Sequence, residues 1–194
     1  MKKLVSVFAM TILLFSLVNG QEDEPYKMKP ALLIIDMQKA FMPMMSQADQ
    51  DRALEMMNWS MWAFREAELP VIRVYHTSPD WGVVEGADSF EFHDSLKISK
   101  DDPMVIKTYG SSFTKTNLDE ILKEKGINTL FMCGLSAVGC VLATYMDASS
   151  HDYKAFLIKD AMLSHDENYT NQIEDIFGAL DLDTVMFMLK IGKE

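Results

Sequence analysis

Ala31-Leu-Leu-Ile-Ile35 is five apolar residues in a row, closed by Asp36. A run that short with no polar alternation suits a strand covered on both faces, which in practice means a parallel sheet between helices. Similar runs recur at Pro70-Val-Ile-Arg-Val-Tyr75, Met104–Lys107, Thr129–Cys133, Tyr153–Lys159 and Thr184–Leu189. Between them lie stretches of helical period. Gln47 to Glu68 puts Leu54, Met57, Met61 and Phe64 on one face. Thr116–Lys125 is a helix capped by Thr116 or Asn117 and ended by Gly126, and Cys140–Ser150 and Asn168–Leu180 are helical. Strands alternating with helices imply βαβ units. The expected fold is therefore α/β: a three-layer, doubly wound, mostly parallel six-stranded sheet with helices on both faces.

The N-terminus has a different character. Lys2 and Lys3 precede an apolar stretch from Leu4 to Val18, and Val18-Asn19-Gly20 offers small residues before a cut ahead of Gln21. This reads as a secretory signal peptide over 1–20, followed by a polar tether over 21–29 and a single domain over 30–194. No later apolar run reaches membrane-spanning length. The expected product is exported, periplasmic or secreted, and free of the membrane after cleavage. A net charge of −11 argues against nucleic acid as a partner. Sixteen methionines, two of them in the signal peptide, read as adaptable core filler. Asn58-Trp-Ser60 and Asn168-Tyr-Thr170 match glycosylation sequons, which arise often by chance.

Strand ends carry the chemistry in such folds, because ligands bind beyond the carboxyl edge of the sheet. Asp36 closes the first strand, Lys107 the third, and Cys140 follows the fourth after the small-residue turn Gly134-Leu-Ser-Ala-Val-Gly139. A thiol in the first turn of a helix faces free N–H groups and the positive dipole end, which favours thiolate and predicts a pKa below the ordinary ~8.5. A carboxylate, a cation and a thiol make a complementary set for attack on an acyl carbon. A Cys133–Cys140 disulfide is the structural alternative in an oxidising compartment, but a strand side chain and a first-turn helix residue are poorly placed to converge. His76, His93, His151 and His165 lack metal-site spacing and read as surface or loop residues. The aperiodic stretch from His76 to Lys100 is expected to set specificity, with Trp81, Phe90 and Phe92 as pocket candidates.

Three segments, in order, resemble the isochorismatase-like cysteine hydrolases. Leu33-Ile-Ile-Asp36-Met-Gln38-Lys-Ala-Phe41 is similar to the opening motif of that family. Val105-Ile-Lys107-Thr-Tyr-Gly-Ser111-Ser-Phe113 is similar to its lysine segment. Gly134 to Val141, with Thr144, Asp147-Ala148 and Asp160-Ala161, is similar to its nucleophile segment. The resemblance implies an Asp36–Lys107–Cys140 triad with Cys140 as nucleophile and Asp36 as base. It implies a non-proline cis peptide at Leu135–Ser136, an oxyanion hole from the Ser136 and Cys140 N–H groups, and a substrate pocket walled by Phe41, with Trp81 a further candidate. A small-molecule substrate and a homo-oligomer are implied as well.

The chain also departs from the family pattern. Ala137-Val138-Gly139 replaces the Thr-Asp or Thr-Asn that most relatives carry before the cysteine, and Asp80-Trp81-Gly82 has glycine where metal-binding nicotinamidases have histidine. No metal and no other cofactor are therefore expected. The cysteine favours cleavage of a small amide or ureido C–N bond through a thioester. The alternatives are vinyl-ether or ester hydrolysis at the same site, and a silent binding protein on the same fold.

Overall fold

The computed structural model of the protein describes residues 26–191. The expected signal peptide lies outside them. Of the expected tether, residues 26–29 are described, and they lie against the sheet: the Tyr26 hydroxyl stands 2.6 Å from Thr129 Oγ1, and the Lys29 N–H donates to Asn128 Oδ1 at 2.8 Å.

Five strands, β1 (Pro30–Ile35), β2 (Val71–His76), β3 (Met104–Lys107), β4 (Thr129–Leu135) and β5 (Lys154–Leu163), form one sheet in the order β3-β2-β1-β4-β5. Every neighbouring pair is parallel. Helices α1 (Gln47–Glu66) and α5 (Leu182–Ile191) cover one face, while α2 (Leu118–Glu124), α3 (Cys140–Ala148) and α4 (Glu167–Phe177) cover the other. β1 is buried throughout, and its side chains alternate between the two cores: Leu32 and Ile34 pack with Phe64 and Phe131, Leu33 and Ile35 with Leu118 and Val141. That two-sided burial is why the strand reads as an unbroken apolar run.

The fold class is as expected, with one correction. The segment read as a sixth strand, Thr184–Leu189, lies within α5. The Asp181 carboxylate accepts from the Thr184 N–H at 2.7 Å, and Val185 and Leu189, four residues apart, are the buried pair. A short run of Val, Met, Phe and Leu fits a strand or a one-sided helix equally well, and the capping aspartate decides it here.

The long connection from β2 to β3 has little regular structure but is firmly held. Lys39 N–H donates to Glu91 O, Ala40 N–H to Ser89 O and His93 N–H to Met37 O, so the loop is tied to the segment after β1. Phe90 and Phe92 stack on Tyr75, with ring centroids 4.9 and 4.2 Å from its own. They belong to the core, not to a pocket. Asn58 is likewise engaged, donating to Ser95 O and accepting from the Lys97 N–H.

Candidate active site at the sheet switch point

β1 and β4 are adjacent, and the chain leaves them toward opposite faces, with α1 following β1 and α3 following β4. Such a divergence opens a crevice at the carboxyl edge. Asp36, the residue after β1, sits there with φ of 54°, a left-handed backbone that aspartate tolerates better than most residues. Lys107 reaches it from the end of β3. Its ammonium donates to Asp36 Oδ2 at 2.7 Å, and the Lys107 side chain is completely buried. The remaining two protons have partners as well, the carbonyl of Tyr109 and Nδ1 of His76, each at 3.2 Å.

Asp36 Oδ1 is buried and has no hydrogen-bond partner among the described residues. An Asp36 oxygen, the sulfur of Cys140 and a ring nitrogen of His76 lie within 4.8 Å of one another. Burial pushes the Asp36 carboxyl up, against the pull of the Lys107 charge. The Cys140 thiol is also pushed up, to about 11, first by burial and then by the neighbouring Asp36 charge. This runs opposite to the low thiol pKa expected from the helix start: burial and the adjacent carboxylate both favour the protonated thiol. Burial, then the Lys107 charge, holds His76 below the usual histidine range. Asp36, His76 and Cys140 are a possible donor trio for a metal ion, but the Lys107 ammonium already bonds two of the three. A second cation there would meet it at close range, so the residues present do not fit a metal centre.

A tight turn delivers Cys140 to this point. Gly134 has φ of +119°, and a Cβ there would overlap the Ile35 carbonyl oxygen and stand 2.8 Å from the Ile35 nitrogen. Only glycine fits where β4 crosses so close to β1. The Leu135–Ser136 peptide is cis. Among the described residues, the N–H groups of Ser136 and Cys140 donate to no protein acceptor. A cavity of about 360 Å³ opens over them, walled by Phe41, Met44, Met45, Leu135, His76 and His165.

The arrangement matches a known family along most of its length. The family model for the Isochorismatase domain matches residues 30–182. The chain belongs to the isochorismatase family. It is 32% identical over 136 residues to the isochorismatase family protein YrdC of Bacillus subtilis, covering 69% of this chain and 73% of that one. YddQ of the same organism is 28% identical over 159 residues, covering 76% and 83%. Among solved structures, N-carbamoylsarcosine amidase from Thermoplasma acidophilum is 31% identical with a TM-score of 0.68, covering 79% of this chain and 95% of that one.

In this isochorismatase-family chain the structure shows what holds the Ala137-Val138-Gly139 turn. The Ala137 N–H donates to Leu163 O at 2.6 Å, and the Gly139 and Val141 N–H groups donate to Ser136 O at 2.9 and 3.2 Å. Among the described residues, backbone bonds alone close the turn. Further along α3, the Thr144 hydroxyl donates to the Cys140 carbonyl at 2.7 Å and accepts from the Ser112 N–H at 3.0 Å, while Ser111 donates to Asp147 at 2.6 Å. These bonds tie the loop that follows Lys107 to the helix that starts at Cys140.

Of the site residues expected from sequence, Asp36, Lys107, Cys140, Ser136 and Phe41 come together. Trp81 does not. It lies in a short turn of the β2–β3 loop, 71% exposed, away from the cavity, and Met44, Met45 and Leu135 form the wall instead. The sequence reading also missed His76, which ends β2 between Asp36 and Lys107. The strand-end rule that singles out those two applies equally to His76, a signal that metal-ligand spacing among the histidines does not carry. Gln38, two residues after Asp36, also belongs to the site's frame. It is buried, and its amide brackets His76, accepting from the His76 N–H at 2.7 Å and donating to its carbonyl at 3.0 Å. Cys133 is completely buried in the core under α1, donating weakly to Leu33 O, while Cys140 packs on the opposite core, and both thiols are free.

Proposed function

We propose that the protein is a cysteine hydrolase that cleaves the C–N bond of a small amide or ureido compound, with Cys140 as nucleophile. One observation carries the reading: a buried carboxylate whose second oxygen has no hydrogen-bond partner among the described residues, set beside a thiol that rests protonated. Asp36 takes the thiol proton as sulfur attacks the carbonyl carbon, so the S–H bond breaks while the S–C bond forms. The carbonyl oxygen becomes an oxyanion, and the Ser136 and Cys140 N–H groups are the donors suited to receive it. Lys107 holds Asp36 anionic and oriented. Collapse expels the amine, which takes the proton back from Asp36 and leaves an acyl thioester on Cys140. Water then gives a proton to Asp36 and attacks the thioester; the acid departs, and Asp36 returns the proton to sulfur.

The similarity to N-carbamoylsarcosine amidase supports C–N cleavage as the reaction. The proposal extends to an exported, homo-oligomeric enzyme, on the grounds of the N-terminal sequence and the family resemblance. Ammonia release across primary amides, ureides, nicotinamide and isochorismate, with Cys140→Ala in parallel, tests the reaction. Ammonia from at least one compound, lost in the variant, is the expected result. Consumption of isochorismate without ammonia would overturn it in favour of ether hydrolysis.

A further inference from the structure

The wall of the cavity over Cys140 bears on which amide can enter, given the reading of the site as an amide hydrolase. Phe41, Met44, Met45 and Leu135 supply an apolar surface. Among the described residues, no arginine or lysine lines the cavity. The nearest cation, Lys107, has each of its three protons engaged, by Asp36 Oδ2, His76 Nδ1 and Tyr109 O. Its charge is matched by Asp36 at 2.7 Å. Two histidines complete the wall: His76, whose Nδ1 is taken by Lys107, and His165, which sits at the exposed edge and packs edge-on against Tyr169. A carboxylate drawn into this space would leave water, find no cation free to pair with it, and lie close to the Asp36 charge. A buried charge without a partner is among the costliest things a site can hold.

We propose that the substrate is an uncharged small carboxamide or alkyl urea with an apolar tail, and that amic and ureido acids of the same size are excluded. The apolar tail would lie against Met44, Met45 and Phe41, the reacting carbonyl against the Ser136 and Cys140 N–H groups. Methionine suits such a wall because its flexible thioether adapts to tails of different shape.

Two matched pairs test this at pH 8, above the ordinary histidine range: butyramide against succinamate, and butylurea against 3-ureidopropanoate. Ammonia release gives kcat/KM with the purified protein, and ligand-observed NMR titration of Cys140→Ser gives binding without turnover. The neutral member is expected to lead its acidic partner by about 100-fold or more in kcat/KM, and to be the one that binds. Met44→Arg, at a half-exposed position on the rim, is expected to cut that discrimination at least tenfold by offering a carboxylate a partner.

Preference for the acidic members would overturn the inference, and if that turnover still vanished in Cys140→Ala the amidohydrolase reading would stand. Binding of the neutral members without any ammonia would do the reverse. Failure of all four compounds to bind, or discrimination unchanged in Met44→Arg, would also overturn the inference.

Discussion

At the scale of single residues, the account turns on how Asp36, Lys107 and Cys140 share protons. Asp36 must be anionic to act as base, and burial raises its pKa, so activity should fall on the acid side at a pH above the ordinary aspartate range. The thiol stays protonated to about 11, so no loss is expected on the alkaline side through pH 9. A kcat/KM profile checks both limbs, read as values of the coupled pair. Alkylation of Cys140 by iodoacetamide should be slow at pH 7 and climb steeply toward pH 10, since only thiolate reacts. Fast alkylation at pH 7 would contradict a thiol held protonated by burial and Asp36. Lys107→Met would leave the Asp36 charge buried and unpaired. It should cost about 3–5 kcal/mol in urea unfolding and abolish turnover.

At the scale of elements, much of this architecture was legible. The β1 segment reads correctly because burial on both faces leaves no room for a polar residue, and Asp36 and Lys107 stand out because they end such runs. The failures have physical causes. Thr184–Leu189 is too short and too evenly apolar for period to separate strand from helix, and the Asp181 cap is a signal the apolar run masks. Trp81, Phe90 and Phe92 were grouped by their loop, yet Tyr75 on β2 takes both phenylalanines and leaves the tryptophan in solvent. The Cys140 environment was misjudged because a helix start is visible in sequence and desolvation is not.

Two substitutions probe the elements directly. Gly134→Ala places a methyl into the Ile35 backbone and should prevent the native β1–β4 contact, seen as loss of the cooperative thermal transition. Leu189→Ala, in the buried stripe of α5, should cost about 2–5 kcal/mol with activity retained at temperatures where the variant is folded. Retained stability would argue against the helical placement.

At the scale of the whole molecule, one sheet performs three tasks at once. β1 leads into Asp36, β3 sends its lysine past β2, and β4 runs into the turn that presents the thiol, all at the edge where the chain diverges to the two faces. The order β3-β2-β1-β4-β5 is what makes residues 36, 107 and 140 neighbours despite their separation in sequence. β2 contributes His76 at its end, while the segment after β1 contributes Phe41, Met44 and Met45. Specificity should therefore follow substitutions between residues 41 and 45 more closely than substitutions around Trp81. The central claim is that a thioester forms on Cys140. Rapid-quench intact-mass analysis during turnover of the best amide tests it most directly. The account predicts a mass gain equal to the acyl group, mapped to the peptide containing Cys140, and a rate lowered by about three orders of magnitude or more in Cys140→Ala. Turnover at an undiminished rate in that variant, with no adduct in the parent protein, would contradict it.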